Sequence, residues 1–410
     1  VEREIEKFSV PLLYFSFSRS VAFPRCTALA VERIPGRSCV PQPVGIGVAE
    51  EKKKKLRSGF TTGACAAAAA KGAALTLLTG QVVELVDIPF PGGDRHCFRL
   101  HSCCSQDGQV TASVIKDAGD DPDVTNGAEI IAVVEQADPR QDDADPCALH
   151  GGPGVGRVTK PGLPVAVGEA AINPVPRRMI REAVAEAVAG SGAGGVRLVV
   201  TICVTDGEIL AEKTLNSRLG IVGGLSILGT TGIVRPISAR AWTDTIDASM
   251  KVARAAGLDE VILSTGRTSE AAVERLLGLP EEAGVMMGDY LAYGLKAARR
   301  HGFVKIHLAG MWAKILKCAL GIPQTHVRHG ALEVEQAAEL LVRLGLDAES
   351  CRVMARANTA REIFQRLREA GRADIIHAVC VRAREYAGKR SGLDVTVYLV
   401  TSEDGVVDQA

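Results

Sequence analysis

The second half of the chain repeats one local pattern, and that pattern restricts the fold more than any other feature. Val261-Ile262-Leu263 is a short, wholly apolar run. It leads through Ser264-Thr265-Gly266-Arg267-Thr268 into a helix expected to begin near Ser269. Val285-Met286-Met287-Gly288-Asp289 leads into another helix. Val304 to Leu308 is followed by Ala309-Gly310-Met311 and a helix bearing Lys314 and Lys317. Strands apolar on both faces need cover on both faces, which parallel sheets obtain from crossover helices. The pattern predicts a doubly wound sheet, whose ligand crevices lie outside the C-terminal ends of its strands. An earlier helix, Ala239 to Ala256, carries Trp242, Ile246, Met250 and Ala253 on one face and ends at Gly257. Thr359 and Glu362 form a capping box, and Val395 to Val400 reads as the last strand.

The first half is built differently. Thr61-Thr62-Gly63 precedes an Ala-rich stretch, Ala64 to Leu78, with Gly80 at a helix C′ position. The small side chains permit close packing. The helix start reads equally as an anion site or a capped core helix. Short β-branched strands follow at Val82 to Ile88, Cys97 to His101, Val110 to Ile115 and Ile130 to Glu135. Lys116 to Gly127 (KDAGDDPDVTNG) places Asp117, Asp120, Asp121 and Asp123 within seven positions. It is not an EF-hand, because Gly119 stands at the third loop position. Residues 141–150 read as an acidic surface loop. Gly151, Gly152, Gly154 and Gly156 form a glycine-rich loop beside Arg157 and Lys160. It fails the dinucleotide fingerprint, with Thr159 where the third glycine belongs, and lacks the P-loop Gly-Lys-Ser/Thr. Asn173, Pro174 and Pro176 start a helix that carries Arg177 and Arg178 in its first turn and ends at Gly190. A carboxylate-bearing ligand there would offset two cations at the positive end of a helix dipole. Val196 to Val204 is a buried strand. A second Thr-Thr-Gly, Thr230 to Gly232, precedes Arg235-Pro236.

Together these patterns give an α/β protein of two domains, an α+β domain over 56–237 and a Rossmann-like domain over 238–410. Residues 1–55 read as a poorly ordered extension or an over-called start, and Glu2, Glu4 and Glu6 argue against a transit peptide. Lys+Arg and Asp+Glu both number 48, which argues against a general nucleic-acid binder. No apolar run is long enough to span a bilayer. The eleven cysteines contain no CxxC pair, so a zinc site has little support and a reducing compartment is expected. His326 and His329 are too isolated to suggest a metal centre.

Six segments in order, LRSGFTTGACAAAAAKGAA, VIKDAGDDPDVTNG, GVGRVTKPGL, GEAAINPVPRRMI, LGTTGIVRPIS and Gly310 to His326, resemble the CbiD family. The resemblance covers roughly residues 55–400; GMWAKILKCALGIPQTH varies from the glycine-lysine version of many members. It implies methyl transfer from S-adenosylmethionine to C(1) of cobalt-precorrin-5B, giving cobalt-precorrin-6A in the cobalamin route with early cobalt insertion. It further implies a two-domain α/β fold without the usual methyltransferase glycine fingerprint. The expected partner is a corrinoid precursor, with cobalt present only as part of that substrate and no metal of the protein's own. Nucleic acid and membrane are not expected, a cytoplasmic location is, and a homo-oligomer is left open. Under that resemblance Asp117, Asp120 and Asp121 are the catalytic candidates. Thr61, Thr62, Gly63, Arg157, Lys160, Arg177, Arg178 and Arg235 are candidates for the substrate's carboxylate arms. Asp123, Gly154, Gly156, Thr230, Thr231, Gly232, Thr265, Gly266 and Asp289 are candidates for the methyl donor. The rival readings are a tetrapyrrole carrier without methyl transfer and a small-molecule kinase.

Overall fold

The computed structural model describes residues 56–138, 145–325 and 333–410. The extension 1–55 and the histidines 326 and 329 lie outside the described residues. Lys55–Ala410 forms one compact unit with two five-stranded sheets.

The first sheet runs Ser102–Gln106, Gln109–Ile115, Glu129–Gln136, Leu198–Val204, Cys147–Gly151. Its neighbours are antiparallel except the last pair, which is parallel. Strand side chains alternate between faces, so Val110, Ala112 and Val114, Ile130, Ala132 and Val134, and Leu198, Val200 and Ile202 all point one way and are buried. They pack on the helix Thr62–Thr79, whose alanines from Ala64 to Ala74 are fully buried. A helix this thin lets the sheet and the helix Pro174–Ser191 approach it from different sides. Cys147–Gly151 corrects the later part of the expected acidic surface loop, whose residues 141–144 lie outside the described ones: Cys147 and its neighbours pair with the buried strand Leu198–Val204, which the flanking aspartates masked. Ser102–Gln106 is a strand with no apolar alternation to announce it. The helix after Asn173 runs to Ser191 with Gly192 in the left-handed conformation, two residues past the expected stop.

The second sheet runs Gly284–Met286, Glu260–Ser264, Lys305–Gly310, Asp394–Thr401, Gly405–Gln409. The first four strands are parallel and the last is antiparallel. The helix Arg267–Leu277 covers one face, through Ala272 and Val273 against Ile262, Ala309, Tyr398 and Val400. Helices Ala239–Ala255, Leu291–Arg300, Trp312–Ala319, Ala360–Glu369 and Ala373–Ser391 cover the other. This is the doubly wound, mainly parallel arrangement expected. In chain order the strands lie 2-1-3-4-5, so the crossover direction reverses between Glu260–Ser264 and Lys305–Gly310. Half of the expected capping box forms: Thr359 Oγ1 accepts from Glu362 N at 3.1 Å, but Glu362 Oε2 turns to Asn358 N at 2.7 Å, one residue before the cap.

Charged side chains join the two sheets' regions. Arg218 Nη1 donates to Glu270 Oε1 at 2.5 Å, and Ser264 Oγ donates to Glu270 Oε2 at 2.6 Å. Glu274 and Glu281 complete the cluster around Arg218, and Lys160 pairs with Glu282 at 2.8 Å. Gly284 lines this seam, where a Cβ would stand 2.5 Å from Arg218 Nη2. All nine described cysteines are free, and burial pushes the Cys65 and Cys318 thiols up to about 12.

A second ion cluster ties the long helices to the hairpin Leu85–Pro89/Arg95–Arg99. Arg95 and Lys71 both grip Glu186. The Arg95 fork, with Lys71 adding to it against the opposing effect of burial, holds the Glu186 carboxyl down at about 2. A depressed carboxyl contributes stability that is complete above its unfolded value, near 4.3, and is lost as pH falls toward 2. Glu186→Gln is therefore expected to flatten the acid limb of the stability curve in that window and to leave its shape unchanged above it. Urea midpoints from pH 2 to 6 measure this; parallel curves for both proteins would refute it.

Candidate functional site

The two Thr-Thr-Gly loops meet in space. Gly59–Phe60 pairs antiparallel with Ile233–Val234, and Thr61 N donates to Gly232 O at 3.0 Å. Gly63 N donates to Leu228 O at 3.1 Å, and Thr62 Oγ1 accepts from Leu228 N at 2.9 Å. Thr61 Oγ1 caps its helix by accepting from Ala64 N at 3.2 Å. Thr61, Thr62 and Gly63 are all buried. A Cβ on Gly63 would stand 2.7 Å from Pro176 Cγ. The expected ligand-facing role of Thr61, Thr62 and Gly63 is therefore corrected. Their donors are consumed by the second loop, and the helix start is a capped one. They carry Thr230 and Thr231, whose side chains are exposed, while Gly232 is buried under Phe90.

The acidic loop joins this junction. Phe60 N donates to Asp117 O at 2.7 Å. The Asp117 carboxylate takes a two-pronged grip from Arg57 (2.5 and 2.8 Å) and accepts from Gly119 N at 2.9 Å. The Arg57 guanidinium and the Gly119 amide hold that carboxyl below its usual range. Asp120 Oδ2 accepts from Arg57 N at 2.7 Å, and Asp121 Oδ1 accepts from Ile237 N at 2.8 Å. Asp123 behaves differently. It accepts from the buried Lys116 ammonium at 2.5 Å and from Thr125 N and Oγ1 at 2.8 and 2.7 Å. Burial raises its pKa, but Lys116 and Thr125 outweigh that and hold it down. Asp117 and Asp123 thus build the loop. Asp120 and Asp121 each present a second oxygen with no partner among the described residues. Asp123 as a cofactor ligand and Asp117 as a proton carrier are corrected on this ground.

The glycine-rich loop is closed. Gly152 N, Gly156 N and Thr159 N donate to Ile202 O, Leu225 O and Gly220 O at 2.8, 2.9 and 2.7 Å. A Cβ on Gly154 would stand 2.0 Å from Val204 O, and one on Gly156 2.8 Å from Gly224 O. Gly154 and Gly156 serve backbone-to-backbone packing, and the Gly152, Gly156 and Thr159 amides are already committed. This correction also removes the phosphate cradle that the kinase reading needed. Three of the basic candidates are engaged too. Arg157 Nη1 donates to Gly168 O, Lys160 pairs with Glu282, and Arg177 donates to Ile172 O at 2.8 Å and Ala170 O at 3.1 Å. Arg178 is exposed, with Glu182 3.7 Å away. It lines a cleft of about 460 Å³ with Arg177, Arg181 and Val165. Arg235 is exposed and has no ion-pair partner among the described residues.

At the second sheet, Thr265 and Gly266 lie at the crossover reversal. Thr265 N donates to Ala309 O at 3.1 Å, and Gly266 precedes the helix Arg267–Leu277 without a side-chain cap. Asp289 accepts from Thr325 Oγ1 at 2.7 Å and pairs with Lys314. It fastens the loop after Gly321 rather than opening toward a ligand. Trp242 shares its helix face with Ile246, Met250 and Ala253 by spacing, yet it is 45% exposed while those three are buried. Its Nε1 donates to Met287 O at 3.0 Å. Sequence reasoning missed Arg57, Arg218, Glu270 and Ile237. Their roles rest on contacts between segments far apart in the chain, such as Arg218 with Glu270 and Asp121 with Ile237, for which the sequence carries no local signal.

No group of three His, Cys, Asp or Glu side chains suited to a metal occurs among the described residues, and no described helix is long and apolar enough to cross a membrane. A family model described as CbiD matches residues 49–236, and one described as CbiD, C-terminal domain, matches residues 324–410. A protein of Desulfotalea psychrophila named cobalt-precorrin-5B C(1)-methyltransferase is 56% identical over 87% of this chain and 98% of its own. One of the same name from Geobacter metallireducens is 50% identical over 86% and 98%. A crystal structure of the Archaeoglobus fulgidus cobalamin biosynthesis protein (cbiD) aligns over 77% of this chain and 85% of that one, at 24% identity and a TM-score of 0.36, too low to bear on the argument. Shared identity of this extent over nearly the whole length makes the chain a member of the CbiD family.

Proposed function

We propose that this chain transfers a methyl group from S-adenosylmethionine to C(1) of cobalt-precorrin-5B, giving cobalt-precorrin-6A. The observation that carries the reading is the 56% identity, over 98% of its length, to a relative named for that reaction. S-adenosylmethionine, when bound, supplies an electrophilic methyl on a positively charged sulfur. The residues present fit such a donor, since Asp120 and Asp121 offer carboxylate oxygens to a cation or to ribose hydroxyls. Thr230 adds an exposed hydroxyl in the second Thr-Thr-Gly loop, while the Thr231 hydroxyl bonds to the Ile233 backbone.

A ring carbon with enamine character attacks without a protein nucleophile. The chain must chiefly hold two reactants in line and exclude water, which is proximity catalysis. Asp121 is the candidate to hold or move a proton, because its charge stands at the junction of both loops and the link to the second sheet. Arg235 and Arg178 are the open cations for carboxylate arms, Arg being suited to two-pronged recognition of carboxylates. Thr265 and Gly266 line the crevice that a doubly wound sheet reserves for ligands. We take residues 56–237 and 238–410 as the two domains that together enclose the reactants.

The test is anaerobic incubation of the protein with cobalt-precorrin-5B and methyl-labelled S-adenosylmethionine, read by mass and label position. Label at C(1) of the macrocycle is the expected result. Tight binding of the macrocycle without transfer would replace the enzyme by a carrier.

A further inference from the structure

Within the functional reading above, we infer that Trp242 is an aromatic platform on which the substrate's macrocycle docks. The chain holds only two tryptophans, and they have opposite surroundings. Trp312 is 4% exposed in the core against Phe364, whereas Trp242 is 45% exposed.

The exposed indole is held in a fixed orientation. Its N–H donates to Met287 O at 3.0 Å, and Tyr290 lies beside it with centroids 6.4 Å apart. Gly288 lies beneath it at φ +56°, where a Cβ would stand 2.9 Å from the ring. An aromatic ring seated this way presents a rigid apolar face at little cost in side-chain freedom, which suits stacking against a flat conjugated ligand.

Its place in the fold joins the two halves of the candidate site. Trp242 N donates to Ser238 O at 3.3 Å, one helical turn after Ile237, whose own N–H is held by Asp121. On the other side, Met287 N and Gly288 N donate to Ser264 O at 2.9 and 3.2 Å, immediately before Thr265-Gly266. The indole therefore stands between the acidic loop and the crossover reversal. Ile237, five residues earlier in the chain, is 61% exposed, and Met311, following Gly310 at the next strand's end, is 40% exposed. Arg235 and Arg267 are exposed and have no ion-pair partners among the described residues. A rigid aromatic face, exposed apolar residues and open guanidinium groups match a flat macrocycle carrying carboxylate arms. A hydrophilic ligand of the methyl donor's size would use little of the apolar area.

The experiment uses full-length single-tryptophan variants, Trp312→Phe and Trp242→Phe, titrated anaerobically with cobalt-precorrin-5B. Emission from Trp242 in the first variant is expected to be nearly extinguished at saturation, and emission from Trp312 in the second to fall far less. In steady-state assays Trp242→Leu is expected to raise KM for the macrocycle about tenfold, the scale of one lost aromatic stacking contact. KM for S-adenosylmethionine should be unchanged, and Trp242→Tyr should restore most of the affinity. Unquenched Trp242 emission in a variant that still turns over would overturn the inference alone, as would a Trp242→Leu enzyme with unchanged KM. A wild-type protein that neither binds nor methylates the macrocycle would remove the functional reading, and the inference with it.

Discussion

Arg218→Met is expected to destabilise the folded protein by about 3–5 kcal/mol, because it strands a buried carboxylate. Glu270 is 3% exposed, and its strongest charged partner is Arg218 at 2.5 Å. Its other oxygen is met only by the neutral Ser264 hydroxyl. Glu274, on the same helix, cannot substitute for the arginine, and the Glu270 charge together with burial already raises its pKa. The doubly substituted Arg218→Met, Glu270→Gln protein is expected to recover most of the loss, since replacing both members of a buried pair is often near neutral. Urea unfolding of wild type, both single variants and the double variant gives the coupling directly. If the double variant is no more stable than Arg218→Met, the cost comes from lost packing at Gly284 and not from the uncompensated charge.

Asp121→Asn should lower kcat by about 10²–10⁴-fold, the range associated with a positioned acid–base group. The substitution is close to isosteric. Its side-chain carbonyl can still accept from Ile237 N, the 2.8 Å bond that ties the acidic loop to the segment before the helix Ala239–Ala255. Charge and proton affinity are what it removes. An unchanged melting temperature with lost turnover, against Asp117→Asn as a comparison, separates chemistry from architecture. Asp117 holds Arg57, so its variant should lose stability first. Unaltered turnover by Asp121→Asn would take the acidic loop out of the reaction.

The second sheet was legible because continuous apolar runs such as Val261-Ile262-Leu263 leave a chain few alternatives, and turns such as Ser264-Thr265-Gly266 mark where each strand ends. The Ala-rich helix and its Gly80 stop were legible for equally local reasons. For the candidate site, loop position brought Asp120, Asp121, Thr230, Thr231 and Arg235 forward, and all five are exposed or half-exposed. The same rule brought forward Gly154, Gly156 and Asp123, which are consumed by packing and by Lys116. A sequence shows which residue types can bind a ligand but not whether the backbone has already used their donors. That depends on which loop lies against which, as with Thr62 and Leu228, far apart in the chain. The exposure of Trp242 was hidden for a related reason: its spacing puts it in line with Ile246, but that face outruns the core at its first turn.

The pairing of Gly59–Phe60 with Ile233–Val234 closes the first lobe on itself across nearly its whole length. Contacts this distant in sequence form slowly, because a long loop must close before any of them is rewarded. During synthesis the Ala-rich helix emerges early, yet its capping loop has no counterpart until the second Thr-Thr-Gly has left the ribosome. The acidic loop, anchored to that same edge, waits as well. The exposed surface around this junction thus depends on its most sequence-distant pairing, and a chain interrupted before Val234 would carry the helix without the strand that closes its N-terminal loop.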